Sequence, residues 1–237
     1  MDLKQNIAAA KEKIAAAAIR AGRDPSEVTL CAATKVQTDD TIRAAIEAGL
    51  EVCGENRVQE LCAHLEADAY AGAREVHFIG HLQTNKVNKV VGRVDLIQSV
   101  DSLRLLEAIE KQAEKLGIVQ DILLEVNIAG EESKGGIPPE QVQELAKEAV
   151  SMPHVRLRGL MAIPPVAHEP GANTQYFVKM RRLFVDTKDK IADNENDMNC
   201  LSMGMSGDFE EAVAQGATLV RVGTAIFGPR PPRTEQA

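Results

Sequence analysis

The sequence predicts an α/β fold, a single (β/α)8 TIM barrel with an extra helix at its N-terminus. Eight short apolar segments resemble strands, and each of them is followed by a helical segment. No hairpin signal such as Asn-Gly separates these strands, so they are predicted to be parallel. Eight such units in 237 residues are typical of a closed barrel. An open doubly wound sheet is the alternative, and the absence of a G-x-G-x-x-G motif after the first strand argues against it.

The strands are assigned to short runs rich in Val, Ile, Leu and Ala, which turn residues bound on both sides. Pro164-Pro165 stops the sixth of them. The eight predicted strands are Val28–Lys35, Glu51–Gly54, Val76–Gly80, Leu96–Val100, Ile122–Ile128, Arg156–Ala162, Cys200–Met203 and Leu219–Gly223. Together with their helices they use almost the whole chain, so one domain is expected over residues 1–237, with residues 230–237 as a loose tail.

The helices are assigned from capping and stop signals. An Ala-rich helix over residues 2–22 ends at Ala21-Gly22. Asp39 or Asp40 is expected to cap the next helix, and Asp101-Ser102 the helix that ends at Leu116-Gly117. Pro138-Pro139 opens a further helix. The other helices are predicted after strand two to about residue 69, and over residues 84–91, 173–192 and 208–215.

Composition restricts the partners and the compartment. The formal net charge is −8 and no long Lys/Arg run occurs, which argues against nucleic acid or an anionic membrane as a partner. The four cysteines form no C-x-x-C pair, which indicates reduced core thiols and no metal site, with metal binding as the alternative. They are Cys31, Cys53, Cys62 and Cys200. No apolar run is long enough to span a bilayer, and the N-terminus lacks the features of a signal peptide. A cytoplasmic protein is therefore expected.

In a barrel of this kind the chemistry lies at the C-terminal ends of the strands. Lys35 ends the first predicted strand, on the same face as the small residues Ala33 and Cys31. A buried lysine has a lowered pKa, so part of it is a free amine that can attack an aldehyde. A solvated lysine that has left the strand is the alternative, and Lys35 by itself does not exclude it.

A second group of polar residues lies at the ends of strands seven and eight. Ser202-Met203-Gly204-Met205-Ser206-Gly207-Asp208 supplies glycines and hydroxyls at the start of a helix, and Arg221-Val222-Gly223-Thr224 supplies more. Backbone N–H groups and hydroxyls at adjacent strand ends indicate an anion site, which in barrels frequently binds phosphate. Arg221 shares the strand face of Gly223 and needs an acceptor, either a ligand or an ion pair with Glu51, Glu55 or Asp208.

A lysine amine that faces a phosphate site suits pyridoxal 5′-phosphate (PLP), a phosphorylated aldehyde that forms a Schiff base with lysine. A phosphosugar-handling barrel enzyme with a Schiff-base lysine is the alternative. The chain resembles the YggS/PROSC family of PLP homeostasis proteins over nearly its full length. The segments that carry the resemblance are Ala33-Thr34-Lys35, 54–60, 77–86, 99–102, Glu125-Val126-Asn127, 133–136, 160–163, 202–206 and 221–228.

The resemblance implies a barrel of the alanine racemase N-terminal-domain type, which is PLP fold type III. It implies Lys35 as the Schiff-base lysine, with Asn56 beside the cofactor and Arg221 at the pyridine nitrogen. Ser206, Gly223 and Thr224 are expected to hold the phosphate. The remaining predicted contacts with the cofactor are Ser202, Met203 and Gly207. His81 and Lys86 also match the family, but no role is assigned to them.

The resemblance implies a monomer that binds PLP without catalysing a reaction and takes part in intracellular PLP homeostasis, with apo PLP-dependent enzymes as possible recipients. A PLP-dependent amino-acid racemase is the alternative. Racemisation needs a second base on the opposite face of the substrate, which is a tyrosine in alanine racemases. The two tyrosines, Tyr70 and Tyr176, fall on predicted outer helices. This placement argues against a racemase, although a histidine or a cysteine can replace the tyrosine.

Overall fold

Eight parallel strands close into a barrel in the computed structural model, which describes residues 2–131, 134–167, 169–191 and 198–229. The strands follow one another around the barrel in chain order, and β1 pairs with β8 to close it. This arrangement confirms the predicted (β/α)8 fold. The strands are β1 Thr29–Ala33, β2 Val52–Glu55, β3 Glu75–Phe78, β4 Leu96–Val100, β5 Gln120–Val126, β6 Val155–Ala162, β7 Cys200–Met205 and β8 Leu219–Val222.

Helices surround the barrel, and most of their ends agree with the predicted signals. Ser102 Oγ accepts a hydrogen bond from the Leu105 N–H at 3.3 Å and caps α4, which ends at Gly117 with φ 65°. The cap of α2 is Thr38 and not Asp39 or Asp40, so that prediction is wrong by one residue or two. The helices are α1 Leu3–Arg20, α2 Asp39–Glu47, α3 Val58–Glu66, α4 Leu103–Leu116, α5 Val142–Ser151, α6 Thr174–Lys190, α7 Phe209–Ala214 and α8 Thr224–Phe227.

Two helical segments differ from the sequence prediction, and one predicted segment lies outside the described residues. Residues 84–89 form a 3-10 helix and not an α-helix over 84–91. The short helix α8 was not predicted, because four residues are too few to show a helical period. The tail predicted over 230–237 lies outside the described residues.

The N-terminal helix completes the outer ring. Since α8 has only four residues, it covers little of the barrel after β8. Helix α1 packs against α7, α8 and α2, and Asn6 Nδ2 donates a hydrogen bond to the Ile226 carbonyl at 2.8 Å. The extra helix that the sequence predicts therefore covers the side of the barrel that α8 leaves open.

The hydrophobic core has two parts, a large layer between the sheet and the helices and a small interior inside the barrel. The interior cluster near β1 consists of Cys31, Ala33, Val52, Ile79 and Leu219. At the C-terminal end of β1 this cluster has the small residue Ala33, which leaves space there for a cavity. All four cysteines are free thiols. In the described ranges, every helix is too short or too polar to cross a membrane.

Candidate functional site

A cavity of about 600 Å³ opens at the C-terminal ends of the strands. Because these ends meet at one rim of the barrel, residues far apart in the chain become neighbours there. The wall contains seven of the nine residues that the sequence predicts for the site: Lys35, Asn56, Ser206, Gly207, Arg221, Gly223 and Thr224. A larger cavity of about 1280 Å³ lies at the opposite end of the barrel, and its described lining includes none of the nine.

Lys35 reaches the cavity from a turn and not from a strand. Strand β1 ends at Ala33, so the prediction that the strand runs to Lys35 is wrong. The Gln37 N–H donates to the Thr34 carbonyl at 3.0 Å and closes a tight turn, in which Lys35 is half-buried. Val36 has φ 59°, a left-handed conformation that is strained for a β-branched residue. The backbone thus holds Lys35 at the cavity wall at a cost in local strain.

The residue that ends strand β2, Glu55, faces away from the cavity. Its carboxylate is fully buried between the sheet and the helices, where Oε1 accepts a hydrogen bond from Thr34 Oγ1 at 2.5 Å. His64 Nε2 lies 4.0 Å from the same oxygen. Burial raises the pKa of the Glu55 carboxyl. Glu55 therefore supports the turn behind Lys35 and does not enter the cavity.

Arg221 projects from β8 into the barrel and is buried. Its Nη2 donates to the Ala162 carbonyl at 2.8 Å, and its Nη1 donates to Ser202 Oγ. Burial lowers the pKa of the Arg221 guanidinium. Among the described residues no ion pair includes Arg221, so the structural ion pair considered as an alternative is not formed. Its side chain lines the cavity.

The predicted anion site lies where the loop after β7 meets the end of β8. Ser206 Oγ accepts hydrogen bonds from the Gly223 N–H at 3.0 Å and from the Ala225 N–H at 3.4 Å. Gly207 and Thr224 line the cavity beside them. The structure thus brings together two hydroxyls and two backbone N–H groups, the kinds of donor that a phosphate needs.

Asn56 follows β2 and contributes a side-chain amide to the wall. Its Oδ1 is buried and has no hydrogen-bond partner among the described residues. Buried amides are normally satisfied, so an orphaned one at a cavity wall indicates a site for a ligand. Gly80, to which the sequence assigned no role, fixes this residue in place. A Cβ at Gly80 would lie 2.1 Å from the Asn56 carbonyl oxygen, so only glycine allows the two loops to approach.

Ser202 and Met203 are not in the described cavity wall. Met203 is buried in the core between the sheet and the helices, and Ser202 lies inside the barrel below Arg221. The pairing of β7 with β8 shifts between Ser202 and Met205, and Gly204 has φ 93°. This irregularity breaks the strict alternation of the strand, and Met205 lines the cavity instead.

Two further titratable residues line the cavity. Burial raises the pKa of Glu125, to which the sequence assigned no role although it lies next to the end of β5. His81 is exposed, and its Nδ1 lies 3.4 Å from an Asp101 carboxylate oxygen. Lys86, Tyr70 and Tyr176 are not in the described wall. Tyr176 lies on α6, whereas Tyr70 is buried just after the end of α3.

Comparison with known proteins identifies the family. The model of the family "Alanine racemase, N-terminal domain" matches residues 3–231. A pyridoxal phosphate homeostasis protein of Aquifex aeolicus is 44% identical over 97% of this chain and 99% of its own length. One of Escherichia coli K12 is 39% identical over 97% of both chains.

A solved structure shows the same fold. PipY of Synechococcus elongatus, determined with PLP bound, superposes with a TM-score of 0.82 at 32% identity. The match covers 96% of this chain and 100% of PipY. Both the sequence and the fold agree over almost the entire length, so this chain belongs to the pyridoxal phosphate homeostasis protein family, whose barrel is that of the alanine racemase N-terminal domain.

Proposed function

We propose that this protein binds PLP as a Schiff base on Lys35 and takes part in intracellular PLP homeostasis and carriage. The observation that carries the proposal is that one cavity of about 600 Å³ is lined by an amine, a group of phosphate donors and a buried guanidinium. Its relatives bear the name of this function, and the related PipY binds PLP.

The residues present fit this cofactor. The phosphate is expected at the donors around Ser206 and Gly223, and the orphaned amide of Asn56 can bond a polar group of the ring. The cofactor supplies an aldehyde that condenses reversibly with a primary amine, and a ring that withdraws electrons. Lys35 lines the same cavity and supplies that amine.

Arg221 is proposed to meet the pyridine nitrogen. A guanidinium donates hydrogen bonds and does not give up its proton, so it keeps that nitrogen unprotonated. An unprotonated ring is a weaker electron sink for a carbanion. This property suits a protein that holds and releases the cofactor, although racemases of this fold tolerate it as well.

Borohydride reduction is expected to attach a pyridoxyl group to Lys35. The protein loaded with PLP should be yellow, and reduction should abolish the yellow absorption band. Mass spectrometry of a digest should then place the added mass on the peptide that contains Lys35. Lys86→Ala, outside the described cavity wall, serves as a control and should be labelled like the wild type. A label on Lys86 or Lys134 in the wild type would contradict the assignment of Lys35.

Incubation with L-alanine is expected to give no inversion above the rate of free PLP. Neither tyrosine is in the described wall, and besides Lys35 the wall offers His81, which faces Asp101, and the buried Glu125. Chiral chromatography after long incubation measures the D-alanine formed. Inversion that disappears in Lys35→Ala would show a racemase instead, and its loss in His81→Gln or Glu125→Gln would identify the second base.

The proposal extends to a monomeric, cytoplasmic protein that gives PLP to apo-enzymes. The four free thiols are consistent with a reducing compartment. To test transfer, the protein loaded with PLP is mixed with an apo PLP-dependent enzyme in the presence of a reagent that traps free PLP. The recovery of the enzyme's activity is then measured. Recovery no faster than from free PLP under the same trap would argue against direct transfer.

A further inference from the structure

A continuous chain of polar side chains runs through the interior of the barrel, from Arg221 at the cavity to Glu75 near the opposite end. Arg221 Nη1 contacts Ser202 Oγ, and Ser202 Oγ lies 2.7 Å from Gln98 Oε1. Gln98 Nε2 lies 2.9 Å from His77 Nδ1, and His77 Nε2 lies 2.7 Å from Glu75 Oε2. The three middle residues are fully buried. This hydrogen-bonded chain joins side chains of β8, β7, β4 and β3, so it forms only when the barrel is closed.

The direction of every hydrogen bond in the chain follows from its first member. Arginine can only donate, so the Ser202 hydroxyl accepts from it and gives its own proton to the Gln98 oxygen. The Gln98 amide nitrogen then donates to His77 Nδ1, which leaves the ring proton on Nε2. That proton is donated to the Glu75 carboxylate. One arrangement therefore satisfies all five groups, with the Nε2–H tautomer of His77.

This arrangement has an electrostatic consequence for Arg221. Every donor hydrogen points away from Arg221, so the negative ends of the dipoles face the guanidinium and their positive ends face Glu75. Arg221 has no ion-pair partner among the described residues, and the ordered dipoles add to the attraction of the Glu125 and Asp208 carboxylates in compensating this buried cation. The hydrogen bond from His77 lowers the pKa of Glu75, so the far end of the chain carries a negative charge.

The two ends of this hydrogen-bonded chain line different cavities. His77 and Glu75 line the cavity of about 1280 Å³ at the N-terminal face, whereas Arg221 lines the proposed cofactor cavity. The side chain of Glu75 is 39% exposed and also lies 3.4 Å from Arg74. A substitution at Glu75 therefore does not act on Arg221 by contact with a ligand in the proposed cofactor cavity.

We propose that Ser202, Gln98 and His77 are positioning residues, which orient and electrically balance Arg221 toward the ring nitrogen of PLP, with the Glu75 carboxylate as the distant counter-charge. The proposal rests on the proposed function, because it takes PLP as the group that Arg221 meets. It assigns a role to Ser202 that does not require this residue to line the cavity.

Two variants test the chain at different points. Gln98→Leu interrupts it with a side chain of similar size and is expected to weaken PLP binding by about 10-fold or more and to shift the absorption band of the bound cofactor. Glu75→Gln keeps an acceptor for His77 but removes the charge, and we expect the same shift of the band to a smaller extent. Glu51→Gln is the matched control, because the half-exposed Glu51 pairs with Lys11 and with Arg74, which also contacts Glu75. It removes a carboxylate charge beside Glu75 without touching the hydrogen-bonded chain, and should change neither quantity.

A third measurement uses the protein without cofactor. Nitrogen-15 spectra of the histidine rings, assigned with His77→Gln, are expected to show the Nε2–H tautomer of His77. Gln98→Leu should change the His77 and Arg221 nitrogen resonances together, which a local packing defect would not do. If Gln98→Leu does not fold, Glu75→Gln still tests the proposal. Its side chain is partly exposed at the end of the hydrogen-bonded chain, so the substitution is expected to leave the fold intact.

The outcomes separate this inference from the proposed function. A wild type that forms no cofactor band shows that PLP does not bind here, and both proposals then fail. A wild type with a normal band that neither Gln98→Leu nor Glu75→Gln alters shows that PLP binds but that the chain does not act on Arg221. An Nδ1–H tautomer of His77 would overturn the assigned direction. Shifts in both variants, with none in Glu51→Gln, support the inference.

Discussion

Pyridoxal, which lacks the phosphate, is expected to bind at least about 100-fold more weakly than PLP, because each charge-assisted hydrogen bond contributes about 1.5–3 kcal/mol. The expected donors are the hydroxyls of Ser206 and Thr224 and the backbone N–H groups of Gly223 and Ala225. In this structure the two N–H groups donate to Ser206 Oγ, at 3.0 and 3.4 Å. Both ligands carry the same aldehyde, so their difference in affinity isolates the phosphate. Titrations of the cofactor absorption band give the two dissociation constants.

Gly223→Val is expected to remove most of this difference without unfolding the barrel. An added Cβ would lie 3.5 Å from the Ala33 Cβ, an ordinary contact, and Gly223 has φ −116°, which any residue adopts. The branched side chain then occupies space beside the phosphate donors, while the thermal unfolding temperature should change little. Ser206→Ala, which removes only a hydroxyl, should weaken PLP binding by about 10-fold. Equal affinities of the wild type for PLP and pyridoxal would place the phosphate elsewhere.

Gly159→Ala is expected to lower the free energy of unfolding by about 3–5 kcal/mol, a large part of the stability of a typical domain. Gly159 lies in β6 and has φ 152°, a conformation that side chains rarely adopt. An added Cβ would lie 1.7 Å from the Cys200 carbonyl oxygen of the neighbouring strand. The substitution therefore strains the backbone and also separates β6 from β7.

Gly22→Ala is the matched control for this substitution. Gly22 also has a positive φ, 70°, but an added Cβ meets no atom within 4 Å. Its expected cost is about 1 kcal/mol, from the backbone conformation alone. Urea denaturation of both variants and the wild type measures the two costs. Similar costs at Gly159 and Gly22 would show that the close approach of β6 to Cys200 is not needed for the barrel.

The sequence predicts the barrel well because the signals for it are local and repeated. Strand-like runs recur eight times along the chain, with helical segments between them, and errors of a few residues at single elements do not change the count. Seven of the nine predicted site residues line the cavity for the same reason. They lie at or just after strand ends, and the ends of parallel strands meet at one rim.

The predictions about the positions of site residues are wrong where a single backbone irregularity decides the direction of a side chain. The family resemblance implies that Ser202 and Met203 line the pocket, but the register shift of β7 and the left-handed Gly204 place Met205 at the cavity wall. The sequence predicts Lys35 at the end of a strand, whereas the strained turn at Val36 presents it to the cavity. A sequence contains no direct signal for such a departure beyond the glycine itself.

The sequence by itself determined the fold class, the strand ends at which chemistry occurs and the residues that resemble a PLP site. Only the tertiary structure decided which side chains turn into the cavity, that Glu55 faces the helices, and that Arg221 begins a chain to Glu75. The physical reason is that each of these contacts joins residues of different strands or helices. Their geometry depends on the register and closure of the whole barrel, which no local pattern specifies.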